Sequence, residues 1–259
     1  MNRLNRDQKQ KVAQFTQITN QNENVAINYL QRVNWSVEHA VDAFFMNPPA
    51  QRGNAADKRK IEGLFQQYAN DPHDNIGPNK MGPNGVCRLL EDLALEPTDR
   101  KVLILVAKFK AASQCEFSQE EWLNGLTALG VDSIDALRNK LNALDEKLDS
   151  DQAAFKEVYN FTFGYGKQVS QRNMDMDTAI AYWQILFKGN FLRLSTWEEF
   201  LRSENSGRAI SRDTWQLLAD FHFSILPDLS NYDKDSAWPV LLDQFVDYVE
   251  RTQQQSQVN

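Results

Sequence analysis

Asp99-Arg-Lys-Val-Leu-Ile-Leu-Val-Ala-Lys-Phe-Lys-Ala-Ala112 decides the fold class. Its apolar run, Val102 to Ala107 with Phe109 beyond, would suit a buried strand as well as a buried helix. Two features favour the helix. No turn signal interrupts Asp99–Ala112, and Val102, Leu105, Val106 and Phe109 recur at helical spacing. Read so, the segment is a central buried helix, and the chain around it is all-α.

Outward from this segment the pattern stays helical. Towards the N-terminus lie apolar faces at 57–69 (Ile61, Leu64, Phe65, Tyr68) and 84–95 (Val86, Leu89, Leu90, Leu93). Between them runs a Pro/Gly/Asn-rich loop. Towards the C-terminus, Ser118-Gln-Glu-Glu121 and Ser195-Thr-Trp-Glu198 have the spacing of capping boxes. Helical faces follow at 133–148, 151–165 and 177–188, the last closed by Gly189. No alternating strand pattern exceeds four residues. Three short helices fill residues 8–46, a bundle of the size of a binding module. Residues 47–56 (NPPAQRGNAA) read as a linker, 57–250 as a larger all-helical domain and 251–259 as a disordered tail.

Composition bounds the function. The net charge is −7 and apolar residues make up 42%, which supports a core and disfavours a nucleic-acid binder. Residues 1–60 hold nine basic against five acidic residues, so the rest of the chain is strongly acidic. Cys87 and Cys115 form no CxxC and no disulfide framework, and each reads as a buried small hydrophobe. No apolar run suits a membrane span, no signal peptide opens the chain, and residue 2 is Asn, not the Gly that myristoylation needs. The expected setting is cytoplasmic and nuclear.

No catalytic set is evident. His39, His73 and His222 lie in unrelated segments, with His222 on an apolar face as a structural histidine. No zinc spacing occurs, and no metal or cofactor is expected. Gly77-Pro-Asn-Lys-Met-Gly82 lacks the Lys-Ser/Thr of a phosphate loop. The alternative function is EF-hand-like calcium regulation, since the first half of the large domain reads as paired helix–loop–helix units. From Asp71, however, the loop offers Asp71, His73 and Asn75, then Gly82 where a bidentate acid is needed and Ile76 where Gly belongs.

The last quarter, Ser211–Arg251, reads as two amphipathic helices. It carries eight carboxylates between Asp213 and Glu250 against Lys234 alone, with Trp215 and Trp238. Aromatic anchors beside unpaired acids suit a basic partner; a merely solvated helix pair would have the same composition.

The segments KFKAASQCEFSQEEWLNGL (108–126), FTFGYG (161–166) with DTAIAYWQILF (177–187), DTWQLLADF (213–221) and LSNYDKDSAWPVLLDQFVDY (229–248) resemble the defective-in-cullin-neddylation proteins. Residues 8–46 resemble the ubiquitin-associated (UBA) module of some members. The resemblance implies a non-catalytic scaffold, a co-ligase. It would bind a cullin's C-terminal winged-helix domain and the neddylation conjugating enzyme, and promote transfer of the ubiquitin-like modifier to a cullin lysine. It implies a cullin-facing site at Asp213, Ala237 and Asp243. Trp215 and Trp238 then become core struts beneath it. The resemblance also implies a pocket for the conjugating enzyme's acetylated N-terminus at Val86, Val102, Leu105, Val106, Phe109, Cys115, Phe117, Tyr165, Tyr182 and Ile185, with Gln114 at the rim. Several of these differ conservatively from the family's pattern. Ubiquitin would meet the UBA-like module at Phe15 and Ile18, weak candidates because Phe15-Thr-Gln-Ile18 replaces the usual Met-Gly-Phe/Tyr loop.

Overall fold

A computed structural model describes residues 4–19, 23–46, 56–69, 71–74, 76–205 and 207–258. Linker residues 47–55 and the candidate ligand Asn75 lie outside the described residues. Thirteen helices and two short strands occur among those described. The chain divides into two compact units, residues 1–54 and 55–259.

The first unit holds α1 (Arg6–Thr19), α2 (Glu23–Arg32) and α3 (Val37–Met46). Its small core is built on Val12, Phe15, Ala26, Tyr29, Leu30, Ala40 and Phe44. Phe15, Tyr29 and Phe44 meet pairwise with ring centroids 5.7–6.0 Å apart. Three aromatic rings are how so short a bundle gathers enough apolar area.

In the second unit α4 (Lys58–Ala69), β1 (Lys80–Met81), α5 (Pro83–Leu93), α6 (Arg100–Phe109), β2 (Phe117–Ser118) and α7 (Gln119–Leu129) form two helix–loop–helix pairs. Their loops join through the antiparallel β1–β2 ladder, Lys80 opposite Ser118 and Met81 opposite Phe117. Then come α8 (Ile134–Ser150), α9 (Gln152–Gly166), α10 (Met176–Phe187), α11 (Leu194–Glu204), α12 (Arg212–Ser224) and α13 (Val240–Val258).

Helix α6 is the centre, packed against α7, α8, α9 and α10. Leu103 through Ala107 are all buried, which is why this helix is apolar around its circumference instead of along one stripe. Its packing against α7 depends on Gly125, where an added Cβ would lie 2.2 Å from the Phe109 ring. Arg100 opens the helix and is itself only 4% exposed. Its guanidinium bonds Asp145 at 2.6 Å and Asp149 at 2.8 Å from α8, and the Leu186 carbonyl from α10. Lys188 completes the set on Asp145 at 3.0 Å. Burial acts to raise the Asp145 pKa, but the bonds from Arg100 and Lys188 outweigh it and hold the carboxyl below its usual range.

A second buried web ties α9, α10 and α12. Trp183 Nε1 donates to the Tyr159 hydroxyl (2.8 Å), which donates to the Trp215 carbonyl (2.8 Å); Trp215 Nε1 donates to the Tyr159 carbonyl (3.0 Å). The polar edges of three large rings are thus satisfied inside the core.

Several local expectations change. The Ser118 capping box forms with both reciprocal bonds. The Ser195 box does not: α11 starts at Leu194, and Glu198 instead accepts from Gln184 of α10 at 3.0–3.1 Å. Lys188 takes the left-handed position that ends α10, with Gly189 after it. Ile210 pairs with Met174 in an isolated bridge that the polar loop 203–209 did not suggest. Residues 251–258, read as a disordered tail, continue α13 to Val258, and Thr252 Oγ1 bonds the Tyr248 carbonyl at 3.0 Å. Cys87 and Cys115 are exposed, not buried, because neither faces a core-filling stripe.

Candidate functional site

The acidic site is built on two helix starts. Ser211 caps α12, accepting from the Thr214 N–H at 3.1 Å. That frees Asp213, two residues on, from capping duty. Asp213 is exposed and has no ion-pair or hydrogen-bond partner among the described residues. A carboxylate in the first turn is also favoured by the exposed amides and dipole of the helix.

Ala237 is exposed and lies in the segment between α12 and α13. Asp243 sits in the first turn of α13, half-buried, and accepts the Tyr232 hydroxyl at 2.6 Å. Burial, then the Asp243 carboxylate, pushes the Tyr232 pKa far up, so this hydroxyl stays protonated and donates. The Tyr232 ring stacks on Trp238 (5.7 Å, 23°), next to Ala237. Ala237 and Asp243 are therefore linked through Tyr232. Helices α12 and α13 pack together through Phe221 and Phe245, 6.0 Å apart. No hydrogen bond or ion pair among the described residues joins Asp213 to the other two. Trp215 is fully buried, and Trp238 is half-buried against the same core.

The other acids of the last quarter are not equivalent. Lys234 bonds Asp247 at 2.8 Å and Glu250 at 3.1 Å, so one positive charge is shared between two carboxylates. Asp220 pairs with Lys156 of α9. Asp228 accepts from Ser230, and Asp233 from Ser236 and the Asp235 amide. Serine and amide donors leave the carboxylate charge in place, whereas a lysine cancels it. The field is thereby concentrated away from the middle of α13. Tyr232 and Lys234 were not singled out as site residues. Their signal was an aromatic and a lone base within an otherwise acidic loop.

The apolar site is assembled in part. Gln114 Nε2 donates to the Tyr165 carbonyl at 2.9 Å, and the Cys115 backbone bonds the Tyr165 hydroxyl. Cys115 takes a left-handed backbone, φ 58°. Burial pushes the Tyr165 hydroxyl up to about 12, with Cys115 and Tyr182 adding to the rise. Burial also raises the Tyr182 pKa. At Gly166 a Cβ would stand 2.3 Å from the Tyr182 ring, so only glycine lets α9 end against α10 here. Gln114, Cys115, Tyr165 and Tyr182 are thus gathered. Val86, Val102 and Ile185 are half-buried on the same core.

Leu105, Val106, Phe109 and Phe117 are each at most 4% exposed, and Phe109 and Phe117 contact one another at 5.3 Å, so they belong to the buried core, whereas Val86, Val102 and Ile185 are partly exposed. Ile185 also edges a cleft of about 360 Å³ whose other walls include Thr98, Lys101, Gln184 and Lys188, a polar surrounding.

Elsewhere, Phe15 is completely buried and is no surface contact, whereas Ile18 is 56% exposed. The amphipathic pattern could not separate them: Phe15 joins Tyr29 and Phe44 in the aromatic core of the bundle, and Ile18 does not. In the loop from Asp71 to Gly82, Asp71 bonds Arg88 (3.1 Å) and His73. Asp74 accepts from the Asn84 and Gly85 amides at the start of α5. A Cβ on Gly82 would lie 2.6 Å from the Asp74 carboxyl carbon. These acids brace a helix start. His222 is half-buried among Phe187, Phe191 and Phe223, and burial lowers its pKa. No helix among the described residues is long and apolar enough to cross a membrane.

Comparison with known proteins bears on both units. A cullin-binding domain model matches residues 136–248, and a UBA-like domain model matches residues 9–51. The chain is 44% identical to Defective in cullin neddylation protein 1 of Caenorhabditis elegans, over 96% of this chain and 92% of the relative. It is 38% identical to DCN1-like protein 3 of Xenopus laevis and of Homo sapiens, over 73% of this chain. Those matches cover 62% of each of these relatives.

Proposed function

Since the chain belongs to the defective-in-cullin-neddylation family, with a UBA-like domain at its N-terminus, we propose that it serves cullin neddylation as a scaffold-type co-ligase. Its role is to hold a cullin's C-terminal winged-helix domain and the modifier-loaded conjugating enzyme together. The observation that carries this reading is the exposed carboxylate of Asp213, without an ion-pair or hydrogen-bond partner among the described residues, in the first turn of α12; that helix packs against α13, which carries Asp243 in its own first turn, and Ala237 lies in the segment between the two. Carboxylates at two helix starts that share the acidic last quarter with a small exposed side chain suit a partner that presents basic residues and an apolar one.

The conjugating enzyme approaches through its acetylated N-terminal methionine, received where Gln114, Cys115, Tyr165 and Tyr182 gather above the α6 core. Acetylation matters for a physical reason. A free ammonium would have to be desolvated there, and the acetyl group removes the charge while leaving an amide to bond. The chemistry stays on the conjugating enzyme's cysteine. The protein accelerates transfer by proximity and orientation, an effect worth up to ~7–11 kcal/mol in well-oriented cases.

The test is capture of the cullin winged-helix domain by Asp213→Lys/Asp243→Lys protein of unchanged melting temperature. Capture should fall below detection at concentrations that saturate the unsubstituted protein. Normal capture by the folded double variant contradicts the assignment.

A further inference from the structure

The segment carrying Ala237 is fastened to α13 at two points. Lys234 bonds Asp247 and Glu250 one turn apart. Tyr232 donates to Asp243 Oδ1 at 2.6 Å. The two fastenings differ in kind. Lys234 offsets one of the two negative charges it bridges, whereas Tyr232, a neutral donor, fixes its carboxylate and leaves the charge intact. The other face of Tyr232 is engaged as well. Its ring lies nearly parallel to Trp238, which meets Phe221 edge-on at 6.0 Å, and Phe221 is in the core. The tyrosine cannot swing away without breaking that stack. Its hydrogen bond occupies Oδ1; the structure gives Oδ2 no partner among the described residues.

We propose that Tyr232 is a positioning residue for docking: its hydroxyl aims the Asp243 carboxylate, with Oδ2 outward, at a basic group of the partner, while its ring holds the Ala237–Trp238 segment, so charge and small-residue contact are set as one unit. This rests on reading Asp213, Ala237 and Asp243 as the cullin-facing site. An aspartate in a first helical turn otherwise samples several rotamers. Fixing it before the encounter reduces the ordering cost of binding. A phenylalanine at 232 would keep the stack but lose the aim.

The experiment is a binding cycle with the full chain and an isolated cullin winged-helix domain, using wild type, Y232F, D243N and Y232F/D243N. Asparagine keeps the acceptor for Tyr232 and removes the charge. Y232F should bind about tenfold more weakly, the scale of one hydrogen bond to a charged group. D243N should lose more, and the double variant should match D243N. The tryptophan fluorescence emission maximum of Y232F should be unchanged, since a phenylalanine ring keeps the stack on Trp238. Three results would overturn the role of Tyr232 while leaving the acidic site standing. These are wild-type affinity for Y232F beside a weakened D243N, equal weakening by Y232F in both backgrounds, or a shifted tryptophan emission maximum for Y232F. Wild-type affinity for D243N would overturn the acidic site itself, and Tyr232 with it.

Discussion

Arg100 and Asp145 illustrate what a single residue contributes and why sequence conceals it. Both sit in stretches with ordinary helical charge, and such residues usually face water. Here Arg100 is buried and bonded to Asp145, Asp149 and two carbonyls. Removing one partner leaves a buried cation under-satisfied. Asp145→Asn should therefore lose about 3 kcal/mol in urea unfolding at pH 7, with Asp149 limiting the damage. The Asp145 carboxyl is held below its unfolded pKa. Its contribution is complete above the unfolded value, near 4, and disappears as pH falls through the lower folded value. The stability gap between wild type and Asp145→Asn should narrow over that acidic window; a gap independent of pH would refute the linkage. Trp215 read as an aromatic anchor from the pattern and as a core strut only through the resemblance; it is fully buried. Phe15 was not legible, since the same pattern serves an anchor and a core residue.

Among the elements, α6 was legible from spacing and from the absence of turn signals, and its neighbours from their apolar stripes. The capping boxes were legible only in part. Ser118 and Ser195 carry the same motif, but a distant glutamine claims Glu198. Local motifs cannot register a competitor from another helix. At the apolar site, the spacing already read α6 as a buried helix, and it was the resemblance that assigned some of its residues to a pocket. Gly125→Ala should force the Phe109 ring aside and destabilise the protein by about 1–3 kcal/mol, measured by urea unfolding. Unchanged stability would mean that α6 and α7 can separate freely. Ser211→Ala should cost about 1 kcal/mol through the lost cap on α12. Asp213 keeps its charge in that variant, so cullin capture by the remaining folded protein should persist. Loss of capture without loss of fold would assign Ser211 to the interface.

At the scale of the whole molecule, the linker read at 47–56 and the change in charge sign suggested two modules, and the chain divides into units 1–54 and 55–259. Each unit encloses its own core. The UBA-like unit retains Ile18 as the exposed candidate for a ubiquitin-type partner. Residues 55–259 alone are expected to melt cooperatively and capture the cullin domain as the full chain does; failure to fold would make the units interdependent. Such a division suits a scaffold whose surfaces meet separate partners. The most direct measurement is the single-turnover rate of modifier transfer from the loaded, acetylated conjugating enzyme to a cullin lysine. Wild-type protein should raise that rate, and folded Asp213→Lys/Asp243→Lys protein should leave it at the level without scaffold. Full stimulation by the double variant would contradict the account.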